Sequence, residues 1–263
     1  LYFARFFFLS NDEMLEILSE TKDPMRVEPH LNKCFEGINK LNFNESLEAL
    51  SMISIEKEEV KFFEKVSTAD ARGSVEKWLL QTEEQMLLSV RVETSKSFTN
   101  YLELGRNEWI TKWPGMVVLC VSQTYWAMEI ESRFTTQSGI KDYFNELQTQ
   151  LFETVALIRS KDITNITRIS VRALIVIDVH AKDLVDMLVR NNVITENDFQ
   201  WLSQLRYYMI DEAVRVRIIS AEVPFAYEYL GNSERLVITP LTDRCYRTLM
   251  AAYQLHLNGA PEG

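Results

Sequence analysis

The chain has 263 residues, of which 46% are hydrophobic and 25% charged, the make-up of an ordinary soluble globular chain that needs no disulfide or metal staple. Its 38 acidic against 28 basic side chains give a net charge of −10, and no cluster of lysine and arginine forms a basic block, which argues against nucleic acid, anionic lipid and other acidic surfaces as direct partners. Cys34, Cys120 and Cys245 stand far apart with no paired spacing, which fits a reducing compartment and offers no zinc or redox motif.

Leu1 to Leu9 is apolar but contains Arg5 and lacks a basic flank and a small-residue cleavage site. It does not read as a signal peptide, and the chain is expected to start inside a longer protein. Low counts of Gly and Pro, 8 and 6, predict helix as the main element. Weak strand signals lie at Ser51–Ile55 and Val60–Phe62. From Glu76 to Val92, Leu79, Met86 and Val90 fall on one side of a helix, with Glu83, Glu84 and Gln85 interrupting. Trp113-Pro-Gly115 is a natural break. The helix expected after it, Met116 to Arg133, starts fully apolar and continues through Tyr125, Trp126, Met128 and Ile130. Its longest apolar run, Met116 to Val121, is far short of the roughly 20 residues that span a bilayer, so no membrane partner is expected.

Ile140, Tyr143, Phe144, Leu147, Leu151, Val155 and Ile158 recur at three- and four-residue steps, a clean helical stripe. Ile166 to Arg190 is rich in β-branched residues, which favours a strand. Its length without Gly or Pro decides for a long buried helix. At about residue 203 the period changes from 3.6 to 2. Val214–Ile218 alternates apolar residues with Arg215 and Arg217, and Phe225, Tyr227 and Tyr229 alternate again after Pro224. That change places a boundary between residues 1–202, a mostly helical body, and residues 203–263, the start of an α/β module. No internal repeat or low-complexity linker interrupts the chain.

In the last segment Thr239 is expected to cap a helix with Pro240 at its first position, where a missing N–H costs nothing. Asp243 then lies in the first turn, favourable for the helix dipole. Leu241, Cys245 and Leu249 follow at four-residue steps on one face, and Asn258-Gly259 is expected to stop the helix. Leu236, Val237 and Ile238, with the Pro240 ring, form a flat apolar surface suited to stacking an adenine ring. A phosphate-binding loop needs G-x-x-x-x-G-K-[ST]. Gly263 stands where its first glycine would be, and the Lys and hydroxyl residue are not in this chain. The nucleotide-binding candidates are therefore Leu236, Val237, Ile238, Thr239, Pro240, Leu241, Cys245 and Gly263, with no catalytic residue among the 263. Without further information a strand-turn-helix of any α/β domain fits the same residues.

Other features carry blander readings. Asp178 and His180 do not share a helical face, and the remaining pair of His180 and Asp183 makes no metal site. Cys245, near a helix N-terminus, is expected to be buried rather than activated. Glu83-Glu84, Glu129 and Glu131 are expected on solvated helix faces. Trp109, Trp113 and Trp126 are expected as core anchors.

Several ordered blocks resemble dynein heavy chains. Similar to the linker of that family are Arg5-Phe-Phe-Phe-Leu-Ser-Asn-Asp-Glu13 with Leu15 to Leu18, Lys22-Asp-Pro24, Pro29-His-Leu31 with Lys33-Cys-Phe35, Trp113-Pro-Gly115 with Ser122-Gln123 and Trp126, Ile177-Asp-Val-His-Ala181, and Phe199 to Tyr208. Similar to its first AAA+ module are Tyr227 to Gly231 and Leu236 to Tyr246. Ala4 stands where many members have Pro, and Met209 where an aromatic is common. The Phe6-Phe-Phe run and Met14 to Asp23 look most like axonemal heavy chains of the inner-arm type.

The resemblance implies a mainly α fold, an elongated helical linker with small β elements followed by the truncated start of an α/β AAA+ module. It further implies a microtubule motor in which the linker swings as the first module hydrolyses ATP. ATP and magnesium would belong to the complete motor, with none held tightly by this segment. The implied partners are the rest of the AAA+ ring, the microtubule through a stalk, and light or intermediate chains through a tail, the last two outside these residues. The implied location is the cytoplasm and cytoskeleton, in the axoneme of a cilium or flagellum. The competing reading is a non-enzymatic helical scaffold that binds another protein.

Overall fold

The computed structural model describes residues 3–19, 24–69, 74–134, 139–233 and 235–260; Leu1, Lys22, Asp23 and Gly263 of the sequence reading lie outside them. The described residues are mainly helical with two three-stranded antiparallel sheets, and the chain divides into two compact units. The first holds Leu1–Lys96, Trp113–Val117 and Ala226–Ser233; the second holds Ser97–Lys112, Val118–Phe225 and Glu234–Gly263.

The first unit begins with a 3-10 turn, Ala4–Phe8, and helix α1, Asn11–Ser19. Ser10 and Glu13 close a reciprocal cap on α1. The Glu13 carboxylate accepts from the Ser10 amide at 2.9 Å and the Ser10 hydroxyl from the Glu13 amide at 3.4 Å. Short helices α2, Pro24–Val27, and α3, Leu31–Cys34, lead to strands β1, Lys40–Phe43, β2, Glu48–Ile53, and β3, Glu59–Ser67, in the order β1-β2-β3. The weak strand signals thus mark β2 and β3, and β1 had none. Helix α4, Val75–Asn100, continues past the predicted Val92, and Leu79, Met86 and Val90 are buried as expected. Two polar side chains of α4 meet β3: Ser89 Oγ accepts from the Phe63 amide at 2.8 Å and Gln85 Oε1 from the Glu64 amide at 2.9 Å.

In the second unit, α5, Arg106–Lys112, carries Trp109 fully buried, its indole N–H donating to Ser97. Helices α6, Gly115–Arg133, whose first three residues belong to the first unit, α7, Gly139–Arg159, and α8, Asn165–Arg190, fall within two residues of the predicted spans. Thr164 caps α8 by accepting from the Thr167 amide at 3.0 Å. Trp126, Ile130, Tyr143, Leu184, Leu188 and Trp201 share one apolar core. Trp113, by contrast with Trp109 and Trp126, is only half-buried.

Short helix α9, Phe199–Leu202, precedes strands β4, Arg206–Ile210, β5, Ala213–Ile218, and β6, Ala221–Pro224, paired in that order. The alternation at Val214–Ile218 is β5. The second alternation, at Phe225 to Tyr229, is not a strand, because Tyr227 takes φ 56 and turns the backbone out of register. Helix α10, Pro240–Gln254, closes the described chain. Among the described residues no helix is long and apolar enough to cross a membrane.

Candidate functional site

The candidate residues sit at the start of α10 and on the segment that leads to it. Residues 226–233 of that segment belong to the first unit. Arg5 grips it: its guanidinium donates to both Glu228 oxygens at 2.7 and 2.6 Å, to Glu83 Oε1 at 3.0 and 2.9 Å, and to the Cys34 carbonyl at 3.2 Å. The bond to Glu228, opposed by burial, holds the guanidinium pKa above its usual value. One residue on, the Tyr229 hydroxyl donates to Glu58 Oε2 at 2.8 Å, while the Gly115 amide donates to Glu58 Oε1 at 2.7 Å. Burial raises the Glu58 pKa, and both donors oppose the rise. The Tyr229 backbone passes so close to Gly37 that a Cβ there would stand 2.1 Å from the Tyr229 carbonyl oxygen. Gly231 then turns the chain at φ 69.

At the helix start the sequence reading holds in detail. Thr239 accepts from the Thr242 amide at 3.3 Å, the Thr242 hydroxyl accepts from the Thr239 amide at 3.3 Å, and Pro240 occupies the first turn. Leu236, Val237 and Leu241 are 86%, 70% and 69% exposed, so three apolar side chains flank the cap in solvent. Ile238 is half-buried. Leu241, Cys245 and Leu249 do share one side of α10, and it is the open side. The expected burial of Cys245 is therefore corrected: the inward side is taken by the half-buried Asp243, Tyr246, Arg247 and Met250.

The helix ends at Gln254, four residues before the expected Asn258-Gly259 stop. His256 takes φ 56, its amide donates to the Tyr253 carbonyl at 3.0 Å, and the Leu257 amide donates to Ala252 at 2.8 Å. This is the helix-ending motif usually built on glycine, here built on histidine.

Other charged candidates are engaged elsewhere. Asp178 receives Arg106 Nη2 on both oxygens, at 2.8 and 2.9 Å. Burial raises the Asp178 pKa and the guanidinium opposes it. His180 lies 3.9 Å from Asp243, with its pKa lowered by burial against the pull of Asp243 and Asp183. Among the described residues no cluster of three potential metal ligands forms. Glu131 is not on a solvated face, since it accepts from the Trp201 indole at 3.1 Å and the Tyr208 hydroxyl at 2.5 Å. Glu83 is likewise drawn in by Arg5. Arg5, Glu58, Glu228 and Tyr229 escaped the sequence reading as a group, because their partners lie up to 223 positions apart and no local pattern joins them.

Comparison with known families matches residues 1–97 to "Dynein heavy chain, N-terminal region 2" and residues 225–263 to "Hydrolytic ATP binding site of dynein motor region". Curated relatives match along essentially the whole chain. It is 56% identical over 264 residues to dynein axonemal heavy chain 12 of Mus musculus, covering 100% of this chain and 8% of that protein. It is 54% identical to dynein axonemal heavy chain 3 of Homo sapiens, with 100% and 6% covered, and 48% identical to dynein axonemal heavy chain 1 of Rattus norvegicus, with 99% and 6% covered. The chain thus spans 6% to 8% of the length of these relatives. With one matched region at each end and identity running between them, the chain belongs to the dynein heavy chain family, as a segment joining N-terminal region 2 to the opening of the motor's hydrolytic ATP-binding module.

Proposed function

We propose that residues 1–202 serve as part of the force-transmitting linker of an axonemal, ATP-hydrolysing microtubule motor, and that residues 203–263 open its first AAA+ module. In this reading Leu236, Val237, Ile238, Thr239, Pro240, Leu241 and Cys245 make the adenine side of the main ATP site, and Gly263 begins its phosphate loop. The observation that carries it is the open apolar side of a capped helix: Leu236, Val237 and Leu241 stay 86%, 70% and 69% exposed beside Thr239 and Pro240.

These residues suit a neutral, planar base, which gains from apolar contact and needs few polar partners. They do not suit a triphosphate. The backbone cradle, lysine and magnesium-bearing hydroxyl that phosphates require are outside the described residues. The segment's own contribution is therefore to position the base and to exclude water from one side of it; ATP, with magnesium, supplies the free energy of hydrolysis when bound by the whole motor. The remaining ring, a stalk on the microtubule and accessory chains on a tail are the partners this reading requires, in a cilium or flagellum.

The test uses a complete heavy-chain motor carrying this segment. Leu241→Asp and Pro240→Asp are expected to weaken binding of a fluorescent ATP analogue at least 10-fold, with folding checked by circular dichroism. Unchanged nucleotide affinity and ATPase activity in both variants would remove the adenine assignment.

A further inference from the structure

A cavity of about 180 Å³ lies within the second unit, walled by α6, α7, α8 and the inward side of α10. Three polar groups on its wall find no hydrogen-bond partner among the described residues: Trp126 Nε1, Arg106 Nε and Ser122 Oγ. Trp126 and Ser122 are each only 9% exposed, and buried polar groups left unmet are costly. The indole and the guanidinium Nε can only donate, and the hydroxyl can donate as well. Whatever occupies the cavity is therefore called on for acceptor atoms.

The charges on the wall narrow the class further. Arg106 is matched by Asp178 at 2.8 Å, and Arg133 by Glu129 at 3.1 Å and Glu146 at 2.8 Å. With Asp243 also on the wall, four carboxylates face two guanidinium groups, an arrangement that repels anions. Tyr101, Tyr125, Tyr143 and Tyr246 add aromatic surface. An engineered cavity of about 150 Å³ takes benzene, so this one has room for one or two rings.

We propose that this cavity is a binding site for an uncharged, planar heteroaromatic molecule that presents acceptor atoms, such as ring carbonyls, to Trp126, Arg106 and Ser122. The site touches the nucleotide reading at one residue, Ile238, which lies on the cavity wall; a nucleoside triphosphate is not its ligand, since negative charge is what the wall disfavours.

The test is titration of the 263-residue chain, with its five tryptophans labelled at the indole nitrogen, by two neutral acceptor-bearing probes, caffeine and 1-methyl-2-pyridone. Benzoate and adenosine monophosphate serve as charged counterparts, and loss of one resonance in Trp126→Phe assigns the Trp126 indole. The expected result is a saturable shift of that resonance with at least one neutral probe and none with the anions. Calorimetry is expected to show about 10-fold weaker binding in Trp126→Phe and in Ser122→Ala. Ser122→Ala keeps the test decisive where Trp126→Phe fails to fold. No saturation by either neutral probe, which would mean that the cavity holds water only, overturns the proposal. Undiminished binding in Ser122→Ala, or equal binding of benzoate, overturns it too.

Discussion

Arg5 and Glu228 stand 223 positions apart and meet through two parallel hydrogen bonds of 2.7 and 2.6 Å. The fork of the guanidinium matches the carboxylate, and its Nε and Nη2 also reach Glu83, so one cation balances two anions. With Arg5 16% exposed and Glu228 25% exposed, the group is largely withdrawn from solvent. Removing Arg5 leaves Glu83 and Glu228 facing each other unscreened. Arg5→Ala is expected to destabilise the chain by about 2 to 4 kcal/mol, and Glu228→Gln by about half that, because Glu83 still satisfies the guanidinium. Urea unfolding measures both. Equal small losses would mean that the pair is a screened surface contact.

Gly37 tests the same segment by shape instead of charge. A methyl group there would lie 2.1 Å from the Tyr229 carbonyl oxygen and 2.7 Å from the Gly231 nitrogen, both backbone atoms with no rotamer to escape into. Gly37→Ala is expected to cost about 2 to 3 kcal/mol and to raise amide exchange at residues 226–233. A variant with wild-type stability and exchange would contradict the close approach.

Glu58 gives the chain a pH dependence of defined sign. Its carboxyl binds a proton more tightly folded than unfolded, because burial penalises the charge. That contribution is fully present below about pH 4.3, the unfolded value, and is lost as pH rises through the elevated folded value. Wild type is therefore expected to lose stability relative to Glu58→Gln as pH is raised over this interval, then to hold a constant difference. Glu13 acts in the opposite sense: Lys33 lowers its pKa to about 2, so its contribution is lost as pH falls. Comparing the two proteins cancels that background. A difference that stays flat from pH 4 to 8 would show that Glu58 titrates alike in both states.

The two ends of α10 make separable predictions. Thr239→Ala removes the hydroxyl that accepts from the Thr242 amide and is expected to cost about 1 kcal/mol. His256→Gly relieves a left-handed residue at φ 56 and is expected to stabilise by about 0.5 to 1 kcal/mol. Thermal melts of the single and double variants measure both, and additivity is expected because the two ends share no partner. Destabilisation by His256→Gly would assign the imidazole a contact of its own.

Much of the helical frame was legible because periodicity is local. The stripe from Ile140 to Ile158 and the long apolar stretch from Ile166 to Arg190 became α7 and α8, and Thr239-Pro240 announced α10. The sheets were harder to see. The β4–β5 hairpin turns on Asp211 and Glu212 at φ 49 and 57, and the β5–β6 turn on Ile219 at φ 53, so neither carries the glycine that marks such loops. Phe225 to Tyr229 alternates like a strand, yet Tyr227 turns the backbone and Tyr229 is claimed by Glu58. At the candidate site, chemistry near Thr239 was readable, whereas the exposure of Cys245 and the recruitment of Glu131 depend on which neighbours arrive from distant sequence.

Ala226–Ser233 completes a unit whose other parts are Leu1–Lys96 and Trp113–Val117. During synthesis the first hundred residues leave the ribosome long before Tyr229 and Glu228 exist to fill their places. Until then Glu58 lacks its Tyr229 donor, and Arg5 has Glu83 but not Glu228. Native pairing over so many residues is slow, and the half-built unit exposes apolar surface in the interval. Production of this chain is therefore expected to respond to translation rate and to chaperones, and nascent chains arrested before residue 226 are expected to be more open to protease than those arrested after residue 233.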